Sequence, residues 1–350
     1  MKHGVAVIVG ATGLIGQRLA HHLQGTGAWD LIGLCRNAAR PSPIPLLSVD
    51  LVDTESCRQA VAGLDAVTHV FYTARFDHPE GVHESVETNA TMLRNVVDAI
   101  DAASPRLAHV HAVHGTKYYG HNLGPIPVPA SEDSARASRV NFYFPQEDYL
   151  RERSKVRPWT WSTSRPHIFC DDSPGTPRNL PLLIAVYASV LREAGEPLYF
   201  PGTEASFRAR TQFTDLSMLS RMIEWMAITP ACANQAFNVV NGDCPRWCDL
   251  WPVFAACFDM QPGPVRPARL REMMAPRAAQ WDAIVTRHAL EPSSLGDAVL
   301  WEYGDYVFWP EWDIVSDMKK ARQHGFTEQL DSARQLVALF DRMRAQRIIP

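Results

Sequence analysis

Two short stretches of the chain carry side chains suited to stabilising negative charge. Residues 141–150 read NFYFPQEDYL and contain Tyr143, while residues 114–120 read HGTKYYG and contain Lys117. A phenol with an ordinary pKa near ~10 is protonated at neutral pH, so it can donate a hydrogen bond or a proton to an oxygen that gains charge. An ammonium nearby lowers the cost of that charge. Where a fold brings two such residues together, they can stabilise an oxyanion.

Strands and helices that alternate along the chain must position these residues. Short apolar runs typical of strands alternate with stretches whose apolar residues recur at helical spacing. This alternation predicts an α/β fold with a doubly wound parallel sheet and helices on both faces. The strands are predicted at 5–10, 31–35, 46–51, 67–72, 107–113, 159–165 and 236–240, and the helices at 17–24, 53–62, 87–103, 179–194, 215–228 and 331–344.

A glycine-rich turn joins the first strand to the first helix. Residues 10–16 read GATGLIG, and the glycines permit a tight turn, a close approach of the backbone to a pyrophosphate, and close packing of helix on sheet. The N-terminus of the helix then attracts the phosphate charge. A plain turn between strand and helix is the alternative. The pattern predicts a dinucleotide site of the Rossmann type at Gly10, Thr12, Gly13, Leu14, Ile15 and Gly16.

The end of the second strand indicates which dinucleotide is bound. An NAD-preferring protein usually has an acidic residue there to hold the ribose 2′-hydroxyl, but this chain reads Cys35-Arg36-Asn37. The planar guanidinium of Arg36, with Arg40 nearby, suits a 2′-phosphate because it binds phosphate in a bidentate way. We therefore predict NADPH or NADP as the cofactor, with an ordinary surface arginine as the alternative.

Other strand ends are expected to face the cofactor as well. Asp50 and Leu51 end the predicted third strand, which in this fold commonly lies near the adenine. Thr73 and Ala74 follow the fourth strand, whose carboxyl end opens on the same crevice.

The fifth strand carries histidines that invite comparison with a metal site. His109 and His111 share one face of a strand, but His114 lies on the other face or in the turn. No cysteine or carboxylate stands at ligand spacing, so packing or hydrogen bonding is expected here and no metal is predicted.

Composition excludes several classes of protein. The chain has 350 residues and a net charge of −4, with scattered lysines and arginines, so nucleic-acid binding is not expected. No apolar run is long enough to span a bilayer, so no membrane association is expected either. The N-terminus enters a strand directly, without the layout of a signal peptide, and the seven cysteines are scattered. A cytoplasmic protein with reduced thiols is therefore predicted.

The chain is expected to divide into a core and a lobe. Residues 1–165 are predicted to form the NADP-binding core that carries Lys117 and Tyr143. Residues 166–350 are predicted to form mainly a smaller C-terminal substrate lobe, with residues 236–243 returning to the core sheet. The aromatic stretch 301–312 is expected to pack the lobe, and the alternative is that it lines an apolar substrate pocket.

Two anomalies in the chemical stretches match each other. In ordinary short-chain dehydrogenases a lysine follows the catalytic tyrosine by four residues, but here Glu147 stands there. The strand end that usually supplies a serine supplies Lys117 instead. GTKYYG and NFYFPQED together resemble the progesterone 5β-reductase/iridoid synthase-like enone reductases, an atypical branch of the extended short-chain dehydrogenases. The resemblance continues at RPHIF (165–169), QFTD (212–215), FNVVNGD (237–243) and SDMKKARQHGF (316–326).

This resemblance implies a function and roles for particular residues. The implied reaction is the NADPH-dependent 1,4-reduction of a C=C bond conjugated to a carbonyl, in a small-molecule enone or enal. Tyr143 and Lys117 are the implied catalytic pair, with Tyr143 also near the cofactor. Backbone groups around Pro166 and Ile168 are implied to contact the nicotinamide carboxamide. A homodimer is expected only by analogy of fold.

Because the chain departs from the family pattern at several positions, the resemblance does not identify its substrate. Phe144 stands where a second tyrosine is common, Tyr118 where a histidine is common, and Arg75 and Phe76 where many plant members have a bulky aromatic residue. The rival functions are ordinary carbonyl reduction or alcohol oxidation, sugar-nucleotide chemistry on the same fold, and non-catalytic NADP sensing. The role of Glu147 is open at this point.

Overall fold

A parallel sheet of seven strands forms the centre of the protein. The computed structural model describes residues 2–76, 84–173, 178–291 and 295–350. Strands of the sheet lie in the order β10-β6-β5-β4-β1-β2-β3, which reverses direction between β1 and β4 and confirms the doubly wound fold. In chain order they are β1 (Gly4–Val9), β2 (Trp29–Cys35), β3 (Leu46–Ser48), β4 (Val67–Tyr72), β5 (His109–Val113), β6 (Thr160–Pro166) and β10 (Gln235–Val239).

Helices cover both faces of this sheet because its strands are apolar on both sides. One apolar cluster joins the sheet to α1 (Leu14–Thr26), α7 (Leu216–Ile228) and the segment around α13 (Lys319–Gln323). A second cluster joins the other face to α2 (Thr54–Ala60), α3 (Val86–Ala103) and α4 (Tyr143–Ser154). Residues after 165 therefore supply an edge strand, β10, and a covering helix, α7, to the core.

The remaining elements form a separate, mostly helical layer with its own apolar cluster. Its centre is α5, whose residues are almost all buried, and short parallel pairs β7–β9 and β8–β11 connect it to the rest. These elements are β7 (Ile168–Cys170), α5 (Leu180–Glu193), β8 (Leu198–Phe200), α6 (Glu204–Arg208), β9 (Phe213–Asp215), α8 (Trp247–Cys257), β11 (Pro262–Val265), α9 (Leu270–Met274), α10 (Ala278–His288), α11 (Leu295–Ala298), α12 (Trp301–Phe308) and α14 (Ser332–Ala345), with 3-10 turns at Thr116–Tyr119, Pro230–Cys232 and Ala275–Arg277.

Most predicted elements are present, and four of the helices (α2, α5, α7 and α14) start one residue later than predicted, the first, third and fourth of them after an aspartate. The side chain of Asp215 accepts hydrogen bonds from the backbone N–H groups of Ser217 and Met218, and Asp331 accepts one from Arg334. Each aspartate is therefore the cap of its helix and not its first residue, because a cap satisfies N–H groups that have no partner within the helix.

The predicted third strand is too long. It ends at Ser48, which pairs with Cys35 of β2, so Asp50 and Leu51 lie beyond the sheet. The backbone leaves the sheet because the Asp50 carboxylate accepts a hydrogen bond from the N–H of Val52 and closes a turn. Asp50 is exposed there, while Leu51 is buried against the core.

The histidines of β5 form hydrogen bonds with hydroxyl groups of β6. His109 contacts Thr160 and Ser162, both at 2.8 Å, and His111 contacts Ser162 at 2.8 Å and Ser164 at 3.1 Å. These bonds satisfy ring nitrogens that would otherwise be buried without partners. Within the described parts of the chain, no helix is long and apolar enough to cross a membrane.

Candidate active site

Tyr143 is the first residue of α4, and Asn141 fixes its position. The Asn141 carboxamide accepts a hydrogen bond from the Tyr143 N–H (3.0 Å) and donates one to the backbone carbonyl of Lys117 (3.1 Å). One side chain thus joins the stretch that carries the phenol to the 3-10 turn that carries the ammonium. The two predicted residues are brought to one place at the carboxyl end of β5, as the sequence indicated.

The Tyr143 hydroxyl lies in a narrow space next to Gly115. A Cβ atom at Gly115 would lie 3.0 Å from this hydroxyl, and the His114 ring stacks on the phenol at a centroid distance of 4.9 Å. No side chain of the described residues forms a hydrogen bond with the hydroxyl, which leaves it available to a ligand. Burial, reinforced by the charge of Glu84, raises the pKa of Tyr143, so the phenol is protonated at neutral pH.

Lys117 follows β5 and its ammonium is held by a carboxylate. The amine donates a hydrogen bond to Glu84 (3.3 Å) and lies 5.3 Å from the centre of the Tyr306 ring. Glu84 also forms an ion pair with Arg75 at 2.7 Å. Burial lowers the pKa of Lys117, and the neighbouring Glu84 offsets part of that effect. Direct support of the Tyr143 phenol by Lys117 stays a prediction, because the observed partner of the amine is Glu84.

A cleft of about 300 Å³ contains both residues, and we call it the inner cleft. Tyr303 and Tyr306 of the aromatic stretch line it, whereas Trp301 and Phe308 are buried in the apolar cluster of the lobe. The aromatic stretch therefore both packs the lobe and lines the cleft, because Trp301 and Phe308 lie on one face of α12 while Tyr303 and Tyr306 lie on another. The remaining lining residues are Arg75, His114, Gly115, Thr116, Lys117, His121, Tyr143, Pro166, His167, Ile168, Phe169, Arg178, Leu300 and Glu302.

The glycine turn after β1 has the shape that a dinucleotide needs. Gly10 has a φ of +83°, and a Cβ there would lie 2.9 Å from the backbone of Ala74. A Cβ at Gly16 would lie 2.2 Å from the carbonyl oxygen of Gly10, so only glycine lets α1 pack this close. Gly13 caps α1 without a side-chain hydrogen bond, which leaves N–H groups at the helix start free for phosphate oxygens.

The other predicted cofactor residues of the turn support its backbone. The carbonyl of Thr12 accepts a hydrogen bond from Gln17, and Leu14 and Ile15 begin α1 and pack against the core. Thr73, at the end of β4, donates its N–H and its hydroxyl to the carbonyl of Val9 at 2.9 and 2.8 Å. The ends of β1 and β4 are thereby held together at the point where the sheet order reverses.

Arg36 stands beside this turn and is exposed. Arg36 lies two residues after Leu34, whose carbonyl accepts hydrogen bonds from the N–H groups of Gly10 and Ala11. Pro166 and Ile168 lie on the opposite side, where they line the inner cleft near Tyr143. The predicted residues thus extend from the glycine turn to Tyr143 and Lys117, the predicted catalytic pair, along the carboxyl edge of the sheet, and this arrangement fits an extended dinucleotide.

Glu147 has a structural position that the sequence did not indicate. Its carboxylate is buried and bonds to Arg165 of β6 (2.9 Å), to Arg151 (2.9 Å) and to the hydroxyl of Tyr118 (3.2 Å). Burial on its own would raise the pKa of Glu147, but the charge and hydrogen bond of Arg165, together with further positive charge nearby such as that of Arg136, outweigh it and hold the pKa below the ordinary range. Glu147 therefore ties α4 to β6 and to the turn that carries Lys117.

Asn141, Glu84 and Glu147 were not predicted as part of the site. A signal existed for Glu147, since a charged Arg165 within a buried strand needs a buried partner. Glu84 gave no such signal, because Lys117 is distant from it in sequence, and the same holds for the bond from Asn141 to the backbone of Lys117.

Comparison with known proteins decides the family. Residues 44–350 match the PRISE-like Rossmann-fold domain family. The chain belongs to this family. It is 32% identical to the 3-oxo-Delta(4,5)-steroid 5-beta-reductase of Arabidopsis thaliana, covering 99% of this chain and 93% of that protein. It is 33% identical to the (S)-8-oxocitronellyl enol synthase ISY2 of Nepeta racemosa, covering 99% and 91%.

Solved structures show the same fold at low identity. The UDP-glucose 4-epimerase of Thermus thermophilus in complex with NAD has a TM-score of 0.67 at 17% identity, covering 97% of this chain and 99% of that one. A short-chain dehydrogenase/reductase superfamily protein from Agrobacterium tumefaciens with bound NAD has a TM-score of 0.68 at 14% identity, covering 98% of each chain. The PRISE-like family membership confirms the predicted resemblance and the Rossmann fold, and the reductase name of the Arabidopsis relative agrees with the predicted oxidoreductase class.

The buried ion pair gives a prediction for stability and its pH dependence. Glu147→Gln leaves Arg165 without a buried counter-charge, so we expect the free energy of unfolding at neutral pH to fall by about 3 kcal/mol. The pKa of Glu147 is depressed below its ordinary value of 4.5, so the carboxylate stabilises the fold above that pH and less as the pH falls through the folded-state pKa. Denaturant unfolding at several pH values measures the difference between the two proteins.

The matched control is Glu152→Gln, which removes the same charge from an exposed position of the same helix. We expect it to change the free energy of unfolding by less than about 0.5 kcal/mol. Equal effects of the two substitutions would contradict the assigned role of Glu147.

Proposed function

We propose that this protein reduces C=C bonds conjugated to a carbonyl, in enones or enals, with NADPH as the cofactor. The observation that carries the proposal is that Tyr143 and Lys117 line one cleft at the cofactor edge of the sheet. Glu147, in the position of the usual lysine, is engaged with Arg165 and is buried away from that cleft. The names of the steroid 5-beta-reductase and enol synthase relatives support the same chemistry.

The residues of the inner cleft act on the carbonyl end of the substrate. When bound, NADPH supplies the hydride that adds to the β-carbon. Negative charge then develops on the carbonyl oxygen, and the Tyr143 hydroxyl donates a hydrogen bond to it. The phenol is in its protonated form because burial raises its pKa. Lys117 supplies positive charge to the same cleft and is oriented by its hydrogen bond to Glu84.

Apolar and aromatic side chains shape part of the inner cleft, beside charged residues such as Arg178 and Glu302. Ile168, Phe169 and Tyr303 line it next to the catalytic pair and limit the access of water. A site of this kind strengthens the hydrogen bond from the phenol, because the local dielectric is lower than in water.

The cofactor preference rests on Arg36. This exposed arginine lies two residues after Leu34, whose carbonyl accepts hydrogen bonds from the glycine turn. The end of the strand, Cys35-Arg36-Asn37, has no acidic side chain. A guanidinium there binds a 2′-phosphate and gives no advantage to a free 2′-hydroxyl.

Ordinary carbonyl reduction and sugar-nucleotide chemistry use the serine and the tyrosine–lysine spacing that this chain lacks. The epimerase structures share the fold alone. A homodimer and a cytoplasmic location stay predictions. Turnover of a simple enone, compared with the saturated ketone and alcohol, separates the proposed reaction from these rivals and from NADP binding without catalysis.

Removing the phenol hydroxyl tests the catalytic role of Tyr143. We expect Tyr143→Phe to lower kcat for cyclohexenone reduction by about 100-fold or more, since one oxyanion donor is lost. NADPH consumption measures the rate. Tyr149→Phe is the matched control, because Tyr149 lies on the same helix and its hydroxyl bonds to Asp98 outside the cleft. Full activity of Tyr143→Phe would exclude the proposed role.

The same assay tests Lys117. We expect Lys117→Gln to lower kcat by about tenfold, because positive charge near the developing enolate is lost. The variant Lys155→Gln, at an exposed ion pair on the surface, serves as its control. Unchanged kcat in Lys117→Gln would remove this residue from the mechanism.

Gly115 gives a test of geometry that leaves the chemical groups in place. An alanine Cβ would lie 3.0 Å from the Tyr143 hydroxyl and 3.5 Å from the Pro166 carbonyl, so the phenol must move. We expect Gly115→Ala to lower kcat by about tenfold, since small displacements of a catalytic group are costly. Gly25→Ala, where the added Cβ meets nothing within 4 Å, is expected to keep full activity. Equal kcat in the two variants would contradict the tight fit.

Arg36→Gln tests the choice of cofactor. We expect the ratio of kcat/KM for NADPH over NADH to fall by about tenfold, as one charge-assisted contact to the 2′-phosphate is lost. Steady-state kinetics with both cofactors give the ratio. Arg58→Gln removes an exposed arginine of α2 and is expected to leave the ratio unchanged. An unaltered ratio in Arg36→Gln would assign the preference to other residues.

A further inference from the structure

A second cleft adjoins the inner cleft and shares Arg75 and Lys117 with it. We call it the outer cleft, and it has a volume of about 540 Å³. Among the described residues that line it, Arg75, Lys117 and Arg139 are cationic and only Glu84 is anionic. The outer cleft therefore carries an excess of positive charge, although the whole chain has a net charge of −4.

The ion pairs in the outer cleft do not balance these charges. One carboxylate, Glu84, is shared between Arg75 at 2.7 Å and Lys117 at 3.3 Å. Arg139 is exposed and has no ion pair with any residue in the described ranges. The three positive charges of the described lining residues thus exceed the single negative charge by two. The position of Glu84 shows that a carboxylate fits between the side chains of Arg75 and Lys117.

The cofactor does not account for this charge. The residues expected to hold its phosphates are the glycine turn after β1 and Arg36 after β2. Arg139 lies on the other side of the site, in the segment between the 3-10 turn after β5 and Tyr143. The nicotinamide end of the cofactor, expected near Tyr143, carries no phosphate. The excess of cations therefore lies outside the residues expected to hold the phosphates, in the cleft that adjoins the inner cleft.

The two clefts together have a polarity that matches an amphipathic molecule. Next to the Tyr143 hydroxyl, the inner cleft offers the apolar and aromatic walls of Phe169 and Tyr303, while Arg178 and Glu302 place charges of opposite sign in the same cleft. The outer cleft offers guanidinium groups, which bind carboxylates in a bidentate way. Charge of one sign in a cleft also concentrates oppositely charged substrates and raises their rate of association.

We propose that the substrate is an enone that carries a carboxylate, with its carbonyl at Tyr143 in the inner cleft and its carboxylate at Arg75 and Arg139 in the outer cleft. This inference rests on the proposed function and adds the chemical class of the substrate to it. The only covalent step is the reduction of the conjugated C=C bond described under the proposed function.

A pair of compounds that differ only in charge tests the inference. The probes are a cyclohexenone with a propanoate side chain and its primary amide, which has nearly the same shape. We expect kcat/KM for the acid to exceed that for the amide by about tenfold at low ionic strength. The excess is expected to shrink as salt is added, since the outer cleft is open to solvent.

Variants of the outer cleft are expected to change this acid-to-amide ratio. Arg139→Gln and Arg75→Gln lower it toward one, because each removes a positive charge from the carboxylate site. Glu84→Gln raises it, because Arg75 and Lys117 are released from their shared partner. The matched control is Arg106→Gln, an exposed arginine before β5 at the opposite edge of the sheet, which keeps the ratio.

The outcomes separate this inference from the function on which it rests. Reduction of unsubstituted cyclohexenone, together with equal rates for the acid and the amide, overturns the substrate class and leaves the reductase function intact. A ratio that responds to Arg106→Gln as strongly as to Arg139→Gln also overturns it. Absence of turnover with all three compounds rejects the proposed function and this inference with it.

Discussion

The buried ion pair between Arg165 and Glu147 holds together the three segments that form the catalytic centre. Arg165 leaves the end of β6, and its guanidinium lies 3.5 Å from the centre of the Tyr118 ring and bonds to the hydroxyl of Tyr119 (3.0 Å). Glu147 receives the same guanidinium from the side of α4. Two buried charges are costly to desolvate, and this cost is offset only while every partner is in place. The arrangement of the catalytic turn and helix is therefore coupled to one pair of side chains.

A second set of hydrogen bonds lies closer to Tyr143 and Lys117. Asn141 joins the backbone at Tyr143 to the backbone at Lys117, while Glu84 holds the lysine amine. The phenol hydroxyl itself is left without a protein partner among the described residues. The backbone around Tyr143 and the amine of Lys117 are thus held by hydrogen bonds, whereas the Tyr143 hydroxyl is available to the substrate. A preorganised site is expected to have this arrangement.

Features of the fold that depend on residues close together in sequence could be predicted from the sequence, and features that depend on contacts between distant residues could not. The sheet, its helices and the glycine turn depend on local periodicity and on single residues such as Gly10 and Gly16, so they were predictable. The end of β3 was not, because a side chain of Asp50 closes a turn that overrides strand propensity. The partners of Glu147 and Lys117 lie on other elements, so they became visible only when the fold brought them together.

The edge strand β10 has a consequence for how the chain acquires its structure. It pairs with β6 although nearly seventy residues separate them, from 166 to 235, and α7 from the same region covers α1. During synthesis, until β10 and α7 have been made, the edge of β6 is unpaired and an apolar face of α1 is uncovered. Such exposed edges and faces are templates for aggregation. Folding of the core is therefore a late event, completed only when the second half of the chain has left the ribosome.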